Sequence, residues 1–174
     1  GTTLTEQILS AHPAVFGAGE YGTVSGLSAV KEMPVPNFHV SPELVDSLTA
    51  EAVARHAESY REKMRALAGS GERFVTNKLP HNFQQLGLFG MLFPNAPIIH
   101  IKRDPRDNLL SIYFHDFAGI HDYAYDLKTL GYYYRLYERL MAHWLDVIPN
   151  PVYSLQYEDL VADLPARARE MADF

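Results

Sequence analysis

The sequence predicts an α/β fold, a parallel sheet with helices covering its faces. Three observations carry this. An apolar run, Ile98-Ile99-His100-Ile101, ends in the basic pair Lys102-Arg103 and passes through Asp104-Pro105 into a helical pattern. A second apolar run, Val152 to Gln156, passes directly into a helical pattern at Tyr157. Amphipathic segments separate the short apolar runs, and strands that alternate with helices pair in parallel.

Leu4, Ile8 and Leu9 recur at helical spacing, so residues 2–11 form a helix that stops near His12-Pro13. Val15-Phe16 opens a short extended piece, and Gly17-Ala18-Gly19-Glu20 is a loop. Residues 23–33 read as helical, and Pro34, Pro36 and Pro42 punctuate an irregular connector. From Thr49 the pattern is helical again, with Val53, Ala57, Tyr60, Met64 and Leu67 on one face, until Gly69-Ser70-Gly71 stops it. Residues 73–78 are a strand ending in polar residues, and 82–93 a helix carrying Phe83, Leu86, Phe89 and Phe93. The strand 97–102 and a helix from 105 to about 117 follow, then a polar aromatic loop. Residues 127–148 form the longest helix, with Leu130, Tyr133, Tyr137, Leu140, Trp144 and Ile148 on one stripe. After Pro149-Asn150-Pro151 comes the strand 152–156, and from Tyr157 the chain reads as helical towards Phe174.

The length of 174 residues suits one domain with a real core, and 47% apolar with 21% charged residues marks a soluble, globular class. A net charge of −6 argues against a general nucleic-acid binder, so an anion site here is a local basic pocket. The absence of Cys excludes disulfides and thiolate metal sites. The eight histidines show no metal-ligand spacing, and no apolar run reaches membrane-spanning length. The chain does not begin with Met, and both ends read as cut. Tyr132, Tyr133, Tyr134, Tyr137 and Trp144 are either helix core or a binding platform.

Four places can carry chemistry. Asp104 is a good N-cap and Pro105 suits the first helical position. Arg103, Arg106 and Ser111 add donors to that helix start, which makes either an anion site or a turn with solvated arginines. Gly1-Thr2-Thr3 before a helix is either the second half of a phosphate-binding loop or an ordinary N-cap, and it lacks the Lys-Ser/Thr pair of a triphosphatase loop. Glu20 is either a general base in a cleft or a solvated loop carboxylate. Lys78, at a strand end, is either an ammonium set to neutralise a leaving phosphate or a surface Lys.

Five stretches in order, GTTLTEQILSAHPAVFGAGE (1–20), TNKLPHNF (76–83), LFPNAPIIHIKRDPRDNLLSIYFHDF (92–117), LGYYYRLYERLMAHW (130–144) and YEDLVADL (157–164), resemble the PAPS-dependent sulfotransferases. The likeness is to the bacterial branch often joined to tetratricopeptide repeats and related to tyrosylprotein sulfotransferases. The resemblance implies a P-loop-kinase-like three-layer sandwich over residues 1–174, a single truncated domain lacking its first central strand and its C-terminal segment. It implies PAPS as donor, PAP as product and no metal. Gly1, Thr2 and Thr3 take the 5′-phosphosulfate, Arg103 and Ser111 the 3′-phosphate, and Tyr157 lies near the adenosine bisphosphate. Glu20 matches the catalytic base, and Lys78 the lysine at the leaving phosphate. The acceptor is a hydroxyl or phenol on a peptide, sugar or small molecule, with peptide tyrosine among the candidates. The connector at 34–48 and the loop at 115–126 border its pocket.

The location expected is the bacterial cytoplasm, with no membrane or nucleic-acid partner and with tetratricopeptide repeats upstream in the parent chain. Without the central strand, neighbouring ladders stay unpaired, and the 174 residues alone are expected to be poorly stable and inactive. Two other readings stand beside this one. A P-loop nucleotide kinase or triphosphatase requires a Lys before the loop Thr and a Mg²⁺-binding carboxylate at a strand end, where this chain has Gly1 and Arg103. A non-catalytic nucleotide-binding or assembly domain is the other, and the presence of both Glu20 and Lys78 argues against it.

Overall fold

A computed structural model describes residues 1–21, 46, 48–69, 71–117 and 121–174. The helix expected at 23–33 and most of the proline-rich connector lie outside the described residues. The chain divides into two units. The N-terminal unit comprises Thr2–Pro97 and Ile148–Pro151, and the C-terminal unit comprises Gly1, Ile98–Val147 and Val152–Phe174.

In the N-terminal unit, helix α1 (Thr2–Ser10) leads into strand β1 (Val15–Gly17). β1 pairs in parallel with β2 (Phe74–Thr76), Gly17 opposite Thr76. α1 packs on β1 at a glycine: a Cβ on Gly17 would stand 3.2 Å from Glu6 Cγ and 3.4 Å from Ser10 Cβ. Helix α2 (Ala50–Leu67) connects the strands. Thr49 caps it by accepting from the Ala52 amide at 3.2 Å, a contact worth about 1 kcal/mol. Ala57 and Met64 are buried as the stripe predicts, but Leu67 is 43% exposed, because the last turn carries it beyond the packed face. Ala57, Leu88 and Leu92 form the core, with Leu48, Val53, Tyr60, Phe89 and Phe93 against it.

The helix expected at 82–93 is two elements, a 3₁₀ turn over Pro80–Gln85 and helix α3 (Leu86–Leu92). Pro80 pre-sets the turn, and Gln85, at φ −123° and ψ 15°, leaves helical geometry before α3 begins. The breaker Pro149-Asn150-Pro151 also has a packing role. Asn150 is buried, and its Nδ2 donates to the carbonyls of Phe93 at 2.7 Å and Ala96 at 2.9 Å.

In the C-terminal unit, β3 (Ile98–Lys102) and β4 (Val152–Gln156) pair in parallel, from Ile98 opposite Val152 to Lys102 opposite Gln156. Helix α4 (Pro105–Tyr113) follows β3 and ends four residues before the expected 117. A 3₁₀ turn (Asp122–Tyr125) and the long helix α5 (Leu127–Val147) come next. On α5 the fully packed residues are Leu130 and Met141, while Tyr133, Tyr137, Leu140 and Trp144 are half-buried. The continuous helix expected after β4 is broken into α6 (Tyr157–Ala162) and α7 (Leu164–Asp173). Pro165 has no N–H to continue a ladder, and Asp163 starts the second helix by accepting from the Ala166 amide at 3.2 Å. Leu160 and Met171 anchor the two helices in the core.

The class is α/β with helices flanking short parallel strands. Among the described residues the parallel strands form two open, two-stranded pairs.

Candidate active site

The N-terminal unit brings Glu20 and Lys78 together. Past β1 the chain keeps its pairing with the segment after β2: the Ala18 amide donates to the Thr76 carbonyl at 3.1 Å, and the Lys78 amide to the Gly19 carbonyl at 2.9 Å. Between these bonds Gly19 takes φ +65°, a left-handed conformation suited to glycine. That turn sets Glu20 against Lys78, with Nζ 2.8 Å from Oε1. The lysine side chain is 14% exposed and the carboxylate side chain 55%, so a nearly buried cation faces a carboxylate open to solvent.

A polar network surrounds the pair. Asn77 donates from Nδ2 to the Tyr60 hydroxyl at 2.6 Å and to the Tyr21 carbonyl at 3.3 Å, and accepts at Oδ1 from Asn82 at 3.2 Å. Burial pushes the Tyr60 phenol above its ordinary pKa, which keeps its hydroxyl protonated beside the amide. Glu6 Oε1 accepts from the Gly19 amide and from Thr76 Oγ1, both at 3.0 Å. Sequence reasoning missed Glu6, Tyr60 and Asn82. Glu6 reads as a polar helix position and Tyr60 as core, and no local pattern joins either to a loop far along the chain. Thr2 and Thr3 open α1, Thr2 half-buried and Thr3 exposed.

The C-terminal unit presents Arg103 at the carboxyl end of β3. Its guanidinium lies over the Tyr157 ring, 5.4 Å from the centroid, and it makes no ion pair with a carboxylate among the described residues. Gly1 packs beside the same tyrosine: a Cβ there would meet Ile101 Cδ1 at 3.0 Å and Tyr157 Cδ2 at 3.1 Å. Arg103, Tyr157 and Gly1 therefore gather on one side of β3.

Two expected donors do not gather there by contact. Arg106 folds back on Asp104: its Nη2 lies 3.1 Å from Oδ2, and its Nε and amide reach Oδ1 at 3.2 and 2.9 Å. These bonds, side chain first, hold the Asp104 carboxyl below its usual pKa. The helix start is thus capped by its own carboxylate, and Arg103 makes no ion pair among the described residues. Ser111 is exposed on α4, six residues along from Pro105 and so about 9 Å further down the axis. Glu158 is another residue the sequence did not announce. It accepts from the Asp104 amide at 2.9 Å and from Gln156 Nε2 at 2.9 Å, which ties α6 to the turn after β3 and lowers its own pKa, chiefly through the Asp104 amide.

In each unit a pair of short parallel strands carries charged side chains at its carboxyl end, the Lys78–Glu20 pair in the N-terminal unit and Arg103 in the C-terminal one. The family model described as the sulfotransferase family matches residues 1–174, and the chain belongs to that family. It is 34% identical over 183 residues to an uncharacterised protein of Aquifex aeolicus (strain VF5). That match covers 100% of this chain and 24% of the relative, so the chain spans about a quarter of that protein's length. No solved structure matches it. Among the described residues, no helix is long and apolar enough to cross a membrane.

Proposed function

We propose that this chain carries sulfuryl transfer from PAPS to a hydroxyl or phenol acceptor, releasing PAP. The observation that carries the reading is the Lys78–Glu20 contact of 2.8 Å at the end of paired strands, in a chain of the sulfotransferase family. Arg103 supports it from the other unit, as a guanidinium stacked on Tyr157 with no carboxylate partner among the described residues. Taken one by one, a guanidinium suits a phosphate, an ammonium a leaving oxygen, and the Thr2 and Thr3 hydroxyls a phosphosulfate.

When bound, PAPS would supply the sulfuryl group for the acceptor oxygen, with the 5′-phosphate of PAP as its leaving group. Glu20 takes the acceptor proton on a carboxylate oxygen. Lys78 meets the negative charge left on the phosphate oxygen with a nearly buried ammonium, where a charge acts more strongly than in water. Gly1, Thr2 and Thr3 hold the 5′ end of the donor, and Arg103, Ser111 and Tyr157 the 3′-phosphate side. The acceptor is a peptide tyrosine or another hydroxyl compound. We place residues 1–174 as one sulfotransferase domain of the tetratricopeptide-associated branch, acting in the cytoplasm without a metal.

Binding of PAP and transfer of sulfate from PAPS, measured on the full-length protein, test the reading. Arg103→Ala should lose nucleotide affinity. Glu20→Ala should keep that affinity and lose transfer, and normal turnover by Glu20→Ala removes its role as base.

A further inference from the structure

We infer that Glu6 is a positioning residue for the transfer step: its carboxylate fixes the loop that presents Glu20 to Lys78. The inference rests on the roles proposed for Glu20 and Lys78. A single oxygen of Glu6, Oε1, accepts from the Gly19 amide at 3.0 Å and from Thr76 Oγ1 at 3.0 Å. Gly19 immediately precedes Glu20, and Thr76 lies two residues before Lys78. Because both bonds end on one atom, they fix the separation of the two chain segments from which Glu20 and Lys78 reach each other. The backbone bonds between the segments, Ala18 to Thr76 and Lys78 to Gly19, set register. The Glu6 bonds add the lateral restraint that a two-stranded ladder lacks.

Three further features fit this role. Glu6 is half-buried, and removing a carboxylate from water is costly unless donors satisfy it, as two do here. Gly17 leaves room for it, since a Cβ there would stand 3.2 Å from Glu6 Cγ. Gly19, with φ +65°, turns its amide out of the ladder, and Glu6 is the acceptor it meets. Nothing in the apolar spacing of α1 calls for a carboxylate at this position.

The test uses Glu6→Ala, Glu6→Gln and Glu6→Asp in the full-length protein. It reads kcat for sulfate transfer from PAPS, the Kd for PAP, and amide exchange at Gly19. Loss of a fixed geometry of about 1 Å costs on the order of 100-fold in rate, so Glu6→Ala should lose roughly that much kcat while PAP affinity changes by less than about three-fold. Glu6→Gln keeps a carbonyl oxygen at the same reach and should recover most of the loss. Glu6→Asp keeps the charge, falls one methylene short and should not recover it. Glu6→Ala turning over at the wild-type rate overturns the inference, and so does Glu6→Asp outperforming Glu6→Gln. If Glu6→Ala does not fold, the Gln–Asp comparison decides. If the wild type transfers no sulfate from PAPS, the functional reading fails on its own. Gly19 protection lost in the Asp variant and kept in the Gln variant then still establishes the restraint, and equal protection in both removes it.

Discussion

Acidification should loosen the strand that carries Arg103, and the residue responsible is His100. It lies at the centre of β3, opposite Ser154 of β4, with Nε2 2.6 Å from the Tyr137 hydroxyl of α5. Its buried Nδ1 meets no hydrogen-bond partner among the described residues. A protonated imidazole carries a proton on both nitrogens, and here one of them would be a buried donor with no acceptor. Burial, with the Lys102 charge adding to it, holds the imidazole pKa down from 6.5 to about 4. Tyr137 offers no relief: burial, then Tyr134 and Glu138, push its phenol up to about 12, so no phenolate forms to pair with an imidazolium.

The unfolded chain takes up this proton near pH 6.5 and the folded chain only near pH 4, so between those values the unfolded state binds more protons. Stability from His100 is therefore complete above about pH 6.5 and falls as the pH drops towards 4. The full gap corresponds to about 3 kcal/mol, and discounting for the ring's partial solvent access leaves on the order of 1–3 kcal/mol. Hydrogen exchange at the Ile99 and Ile101 amides reads this locally. Between pH 6.5 and 4, protection, corrected for intrinsic exchange, should fall roughly ten- to hundred-fold. His100→Phe should flatten that dependence, and subtracting its curve removes the carboxylates that titrate lower. A wild-type curve parallel to that of His100→Phe refutes the reasoning.

Two further outcomes follow from single contacts. Asn150→Leu leaves the carbonyls of Phe93 and Ala96 buried without a donor and should cost about 2–4 kcal/mol, read as a lower urea midpoint with unchanged slope. Tyr157→Leu removes the ring beneath Arg103, worth about 0.5–2 kcal/mol, and should weaken PAP binding by roughly two- to thirty-fold, measured by calorimetry.

What the sequence disclosed depended on the range of the interaction. The strand at 152–156 and the start of α2 near Thr49 were legible, because an apolar run between breakers and a helical stripe are local facts. The helix break at Asp163 was also local, written in Pro165, yet a reading that follows polarity alone runs through it. Met141 was missed because it sits beside the aromatic stripe of α5, and packing decides which edge of a broad stripe is buried. The site divides the same way. Arg103, Glu20 and Lys78 stand at strand ends and loops that periodicity can locate. That Arg106 turns back on Asp104, two residues away, is a rotamer choice within one turn, and that Glu6 of α1 reaches Thr76 from 70 residues away is a matter of tertiary placement that no spacing encodes.

On the proposed function, the Lys78–Glu20 contact also bears on how Glu20 can begin as a base while paired with a cation. An ion pair with one partner half open to water contributes about 0–1 kcal/mol, so little is lost when it opens. The two partners are unequal in exposure, 14% for the lysine side chain against 55% for the glutamate. Lys78 is the more enclosed of the two, and Glu20 has solvent beside it into which its side chain can turn. A phosphate brought to Lys78 offers a charge-assisted bond at least as strong as the one it replaces. On that reading, the carboxylate is then free to take a proton from an acceptor hydroxyl. On the proposed function, the pair couples donor binding to release of the base. The restraint at Glu6 keeps the backbone under Glu20 fixed while its side chain moves, which confines the change to side-chain rotamers and leaves the Gly19–Lys78 backbone bond in place.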